Sequence, residues 1–447
     1  MLCLIGDQDH SSNRRPPSVL GILIEPGDFK KFGCMTRTRK KKFFHSQFLC
    51  PRSKSHHNLA TMVRFTPLLL PSRKGNLGIF ELNNPRPLHA LSLDMIHCMN
   101  DVWKEWGDMK AIIVKSSPNT KIPVFCAGGD VKAAWKAGMV GDGHGFGTPG
   151  LETADFFRHE YNLNYQMATS KIPQVSLWNG IVMGGGAGIS VHGKYRVSTE
   201  HTTFAMPETA IGLFCDVGSM WWMPRLLTGG MANYVALTGA RLQPQDLLYT
   251  GLATHYVNSE RLDDLEIALV QASDVLNETA TTADALAPVL TSFHQTPPVD
   301  PQDSFLAKHR SLIDESFQEK SVEAIVTNLK TMNNEFSQNT LQTLSKLSPT
   351  SLKITLEGLQ RGADCADIGQ VLQMEYRMSQ ACMRPGSDFY EGIRAVLVDK
   401  DHNPKWSPAI LEEVTEEMVE SYFAPLGGGG GGEHEWEVPS IDNSSKL

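Results

Sequence analysis

Residues 179–190 read NGIVMGGGAGIS, and directly before them stands the apolar run Ile172-Pro173-Gln174-Val175-Ser176-Leu177-Trp178. Gly184, Gly185 and Gly186 in succession, with Gly188 close behind, suit neither a helix nor a strand. A run of this kind at a strand-to-helix junction marks close backbone approach or dihedrals that other residues avoid. Three uses compete for it: a phosphate cradle, an oxyanion hole, and a tight turn without chemistry.

The cradle fails on spacing. Gly188 to Lys194 fits the first seven positions of G-x-x-x-x-G-K-[ST], but Tyr195 stands where Ser or Thr must hold magnesium. A dinucleotide G-x-G-x-x-G beginning at Gly184 ends on Ile189 instead of glycine. An oxyanion hole needs two backbone N–H groups converging on one oxygen, as a rule from separate loops. Phe125-Cys126-Ala127-Gly128-Gly129-Asp130 supplies a second small-residue turn before a helix. The N–H groups of Gly129 and Gly185 therefore form a candidate pair, with two purely structural turns as the bland alternative.

Around these turns the chain alternates short apolar runs with amphipathic stretches. Strands are predicted at Leu77–Leu82, 110–115, up to Trp178, at Tyr195–Ser198 and at Thr203–Ala205. Helices are predicted from Leu93 to about Trp106 with Ser92 as cap, over 130–137 and 153–168, and from the glycines to about Val191. Repeated strand–turn–helix units predict an α/β core, and beyond about Leu262 the pattern turns mostly helical, at 305–318, 320–334 and 366–382. A net charge of −8 argues against nucleic-acid binding, and no apolar run approaches a bilayer span. Eight scattered cysteines without a C-x-x-C pair imply a reducing compartment and no structural zinc.

These residues, in this order, resemble the crotonase (enoyl-CoA hydratase/isomerase) superfamily. The resemblance rests on Asn84-Pro85-Arg86-Pro87-Leu88-His89-Ala90-Leu91, Phe125 to Asp130, Val182 to Gly193, FAMPETAIGLFCDVG at 204–218 and DFYEGIRAVLVDKDHNPKW at 388–406. The last two blocks are similar to its branch that hydrolyses 3-hydroxyacyl-CoA. The implied fold is a spiral of β-β-α units with a mostly helical C-terminal part, in many members a trimer or hexamer. The implied oxyanion donors are Gly129 and Gly185, and the active glutamate is Glu208. Asp216 would orient the substrate, and Glu160 would be a further pocket carboxylate. Gly188 stands where hydratases carry the first of their two glutamates. His89 replaces the usual Asn of a CoA-contacting loop, and Cys215 replaces the usual Pro before Asp216.

The activity so implied is hydrolysis of a short branched 3-hydroxyacyl-CoA thioester, with 3-hydroxyisobutyryl-CoA as first substrate and valine breakdown as setting. Coenzyme A would arrive as part of the substrate, and no separate cofactor or metal is implied. A hydratase or isomerase, and a non-catalytic CoA-binding protein, are the rivals. Cys126 beside the hole reads as a small buried thiol instead of a nucleophile, for want of a partner histidine. His159 and His192 read as structural or exposed, and Trp221 and Trp222 as core.

Four segments follow: a basic extension over 1–74, the spiral over 75–262, the helical part over 263–426 within the same catalytic unit, and a flexible tail over 427–447. Residues 29–75 lack Asp and Glu, as an organellar leader would, although translation starting at Met62 explains 1–61 equally well. Six glycines from Gly427 to Gly432 and the terminal Ser445-Lys446-Leu447 predict capture by the peroxisomal import receptor, with the mitochondrion as alternative.

Overall fold

The computed structural model describes residues 63–140, 152–274, 282–427 and 435–439. Its centre is a six-stranded sheet in the order β1 (Leu69–Lys74), β2 (Leu77–Leu82), β3 (Ala111–Ser116), β5 (Gln174–Trp178), β7 (Tyr195–Ser198) and β9 (His255–Tyr256). Only the β1–β2 pairing is antiparallel. The missing numbers make a second sheet, β4 (Val124–Cys126), β6 (Ile181–Met183) and β8 (Thr203–Ala205), all parallel.

Strand alternation explains how the larger sheet is covered on both faces. Leu77, Ile79, Ala111, Ile113, Val175, Leu177 and Val197 point one way, onto Leu265, Leu269, Leu286 and Leu290 of the helices Leu262–Asp274 and Thr282–Phe293. Phe80, Leu82, Ile112 and Val114 point the other way, into the main core with Met95, Trp103 and Trp106. Apolar residues on both faces are what a buried parallel sheet requires, each such side chain contributing about 1.5–3 kcal/mol of burial.

Each turn of the chain gives one strand to each sheet and then a helix. β3 and β4 lead to α2 (Val131–Val140) and α3 (Glu152–Thr169), β5 and β6 to α4 (Gly185–Gly188), and β7 and β8 to α5 (Ser219–Leu226). Before them, α1 (Leu93–Glu105) is capped by Ser92, whose Oγ accepts from the N–H of Met95. This is the β-β-α spiral that the resemblance implies, followed by a helical C-terminal part. Among the described residues no helix is long and apolar enough to cross a membrane.

The structure departs from the sequence reading in four places. Leu69–Lys74, assigned above to the N-terminal extension, is strand β1, with only Leu69 buried. An edge strand needs little apolar surface and tolerates Pro71, so it reads as a basic linker. The helix expected to run to Val191 stops at Gly188, since four residues of glycine and alanine propagate poorly and Ser190 Oγ turns back to the carbonyl of Gly186. The stretch 305–318 breaks at His309 into Phe305–Lys308 and Arg310–Phe317.

The fourth departure is in the tail. Trp436 is fully buried and donates from Nε1 to Asn162 Oδ1 at 2.8 Å, while Glu435 pairs with Arg377 at 3.0 Å. Residues 435–439 are therefore docked on α3 and the helix Ile368–Cys382, because an indole flanked by acids finds an apolar slot beside arginines. The peptide Ser445-Lys446-Leu447, the glycines 428–432, most of the glycine-rich loop 138–150 and residues 1–62 lie outside the described residues.

Candidate active site

The small sheet places the chemistry. Its three parallel strands end side by side, β4 just before Gly128 and Gly129, β6 at Gly184 and Gly185, and β8 just before Glu208. Carboxyl ends of parallel strands are where α/β proteins hold ligands. Gly128 and Gly184 have φ of 113° and 49°, and the next residue in each loop presents its N–H. Only glycine takes such angles without strain.

Neither the Gly129 N–H nor the Gly185 N–H donates to a protein acceptor among the described residues. The two are close: a methyl on Gly185 would stand 3.0 Å from the Gly129 nitrogen and 2.6 Å from Glu160 Oε1. At Gly184 it would stand 2.8 Å from Glu208 Oε1. The glycines of α4 thus let two free donors and two carboxyl groups meet at one point.

Glu160 on α3, Glu208 at the start of the single turn Glu208–Ile211, and Asp216 are all buried. Among the described residues Glu160 Oε1 and Glu208 Oε2 have no hydrogen-bond partner, and Asp216 Oδ2 accepts from the Tyr161 hydroxyl at 3.0 Å. Burial, reinforced by the charge of Asp216, pushes the Glu208 carboxyl up to about 8. Burial raises Glu160 as well, followed by repulsion from Asp216 and Glu208. Asp216 is raised by burial against the opposing Tyr161 bond. All five site residues named from the sequence converge here.

The turn bearing Asp216 is clamped from three directions. Val217 sits at φ 57°, a strained angle for a β-branched residue, and its carbonyl accepts from His192 Nε2 at 2.9 Å. Glu375, from the helix Ile368–Cys382, accepts from the N–H of Gly218 at 2.6 Å and of Met220 at 3.1 Å. The Cys215 thiol donates to the carbonyls of Ala236 at 3.5 Å and Met206 at 3.7 Å, anchoring the position where proline's fixed φ is missing. Tyr161 and Glu375 escaped the sequence reading. Tyr161 directly follows Glu160 in the helix, a spacing that periodicity does not mark; Glu375 joins Gly218 across 157 residues with no local mark.

Position 188 is closed to a larger residue. A Cβ there would lie 2.6 Å from Val217 Cβ and 3.0 Å from Asn164 Nδ2. His89 is buried at φ 57°, taking the Asn84 N–H on Nδ1 at 3.0 Å and facing the Ser117 carbonyl with Nε2 at 3.1 Å. It pins its own loop. Cys126 is buried and donates to the His89 carbonyl at 3.1 Å, its thiol pushed up to about 12 by burial, which leaves no thiolate for attack. Trp222 is core, and Trp221 lies under the Arg225 guanidinium at 3.4 Å. Among the described residues no group of His, Cys, Asp and Glu is arranged to hold a metal ion.

A family model described as enoyl-CoA hydratase/isomerase matches residues 77–423. The mitochondrial 3-hydroxyisobutyryl-CoA hydrolase of Gallus gallus is 45% identical over 360 residues, covering 80% of this chain and 89% of that protein. The Homo sapiens protein of the same name is 43% identical over 363 residues, covering 80% and 89%. Among solved structures, a carnitinyl-CoA dehydratase from Mycobacterium thermoresistibile aligns with TM-score 0.72 and 32% identity over 84% of this chain and all of that one, 100%. An enoyl-CoA hydratase from Rhodobacter sphaeroides 2.4.1 aligns at 0.69 and 31%, covering 80% and 98%.

Proposed function

Since the chain belongs to the enoyl-CoA hydratase/isomerase family, we propose that it is an acyl-CoA thioester hydrolase acting on 3-hydroxyisobutyryl-CoA. One observation carries the choice of hydrolysis over hydration: Glu208 stands by the Gly184–Gly185 turn, while any side chain at position 188, where hydratases carry a glutamate, would collide with Val217 and Asn164. Hydration of an enoyl thioester uses paired carboxylates, and position 188 has no room for the first of that pair.

In the proposed reaction the thioester oxygen accepts from the Gly129 and Gly185 N–H groups, which hold the negative charge of the tetrahedral intermediate. Glu208 either attacks the carbonyl carbon, giving a mixed anhydride that water then opens, or takes a proton from an attacking water. By either route the C–S bond breaks, the coenzyme A thiolate leaves and gains a proton, and one water is consumed per free acid formed. Asp216 accepts from the substrate's 3-hydroxyl, and Glu160 lines the same pocket. Thiol release across a panel of acyl-CoAs tests the reading: 3-hydroxyisobutyryl-CoA should be cleaved and crotonyl-CoA should not be hydrated. Cleavage of no thioester would overturn it.

Both roles for Glu208 need its ionised form. With that carboxyl raised to about 8, the rate should climb with pH across the neutral range and level off above about 8. A pH–rate profile that is flat from 6 to 9, on the order of the range where a raised carboxyl titrates, would contradict this.

Gly188→Glu, which restores the hydratase pair on paper, is expected to give no crotonyl-CoA hydration. It should destabilise the fold by about 1–3 kcal/mol through overpacking alone, read by thermal melting.

For destination, the relatives are mitochondrial proteins, which supports the mitochondrial alternative and not the peroxisomal expectation drawn from the terminal Ser445-Lys446-Leu447. A role in valine breakdown and a homo-oligomer rest on the family resemblance.

A further inference from the structure

The fold leaves the Asn164 side chain unexplained. It lies on α3 one turn beyond Glu160, is fully buried, and neither Nδ2 nor Oδ1 has a partner among the described residues. A leucine would fill the same shape without the cost of an unpartnered buried amide. Packing alone therefore does not account for the residue type, and a ligand does.

Position narrows what that ligand group is. Asn164 Nδ2 abuts Gly188, and so does the side chain of Val217, the residue after Asp216. With about 1.5 Å of rise per residue, Gly188 lies about 4.5 Å further along α4 than Gly185, the reach of a three-carbon acyl chain from its carbonyl oxygen. Chemistry narrows it further. An ionised carboxylate only accepts, whereas an amide offers donor and acceptor at one place, and a hydroxyl uses both. Tyr161, which donates to Asp216, precedes Asn164 by three residues on α3, so the two side chains share a helix face.

Resting on the hydrolase reading above, we propose that Asn164 is a specificity-determining residue whose Nδ2–H donates to the oxygen of the substrate's 3-hydroxyl while Asp216 accepts the hydroxyl proton. An acyl chain without the hydroxyl leaves the Asn164 amide dry and unpaired and Asp216 with the Tyr161 hydroxyl alone. A site of that kind rejects the shorter analogue strongly. A water held for attack would instead serve every acyl-CoA alike.

The test compares wild type, Asn164→Leu and Asn164→Ala on 3-hydroxyisobutyryl-CoA and isobutyryl-CoA, which differ only in the hydroxyl. In Asn164→Leu, kcat/KM for the hydroxylated thioester should fall about ten- to a hundredfold. The fall for isobutyryl-CoA should be at least about tenfold smaller, so that the preference collapses. Thermal melting should occur at or above the wild-type temperature, because an unpaired amide has been removed. Equal falls on both substrates, or a preference left intact, overturn the proposal. If the leucine variant misfolds, the alanine variant decides by the same ratio. Wild type that cleaves neither thioester overturns the hydrolase reading and this one with it; wild type whose preference survives in both variants overturns only the role of Asn164.

Discussion

Replacing Glu208 with glutamine is expected to lower thioester hydrolysis by about 10³- to 10⁴-fold, the upper part of the range for a lost proton-transfer group or nucleophile. The amide keeps the carboxyl's shape but cannot attack or take a proton. Thermal stability should hold or rise, since Glu208 is buried and raised to about 8, so a neutral side chain already suits the site at neutral pH. Coenzyme A binding measured by calorimetry should be retained. A Glu208→Gln protein turning over within tenfold of wild type, an order-of-magnitude margin against the loss expected, would remove Glu208 from the mechanism.

Gly185→Ala is the second large effect. Its methyl would lie 3.0 Å from the Gly129 nitrogen and 2.6 Å from Glu160 Oε1, in the space proposed above for the thioester oxygen. Blocking or displacing an oxyanion donor costs about 10²- to 10³-fold in turnover. The backbone tolerates the change, because the preceding residue, Gly184, carries the left-handed φ of 49°. The loss should therefore appear in kcat with the circular dichroism spectrum unchanged. Normal turnover by a folded Gly185→Ala enzyme would show that these two turns do not form the hole.

What could be read from the chain divides along a physical line. Gly129 and Gly185 are marked in the sequence by glycine runs that set backbone locally, whereas Glu208 is named only through the resemblance of the motif that contains it. Of the second sheet only β8, at Thr203–Ala205, is expected from the sequence; β4 and β6, three residues each, run straight into glycine turns without alternation, so the sheet that aligns the site does not show. Helix Pro349–Asp364 was passed over despite Ser348, whose side chain caps it ahead of a first-turn proline. Asn164 stands four residues after Glu160 on one helix face, so periodicity points to it, whereas Tyr161 one residue on has no such mark. Glu375 and Trp436 act through tertiary contact alone, which no local pattern announces.

The carboxylate of Glu375 ties the helical half to the loop of Asp216 through two backbone N–H groups. Those two bonds make the candidate site a seam between early and late parts of the chain. During synthesis the glycines, Glu208 and Asp216 all emerge first, yet the loop they depend on stays unsecured until the helix Ile368–Cys382 has been made and docked. A chain clipped before that helix would carry all five candidate site residues and lack the two bonds that hold the loop of Asp216, so it is expected to cleave no thioester.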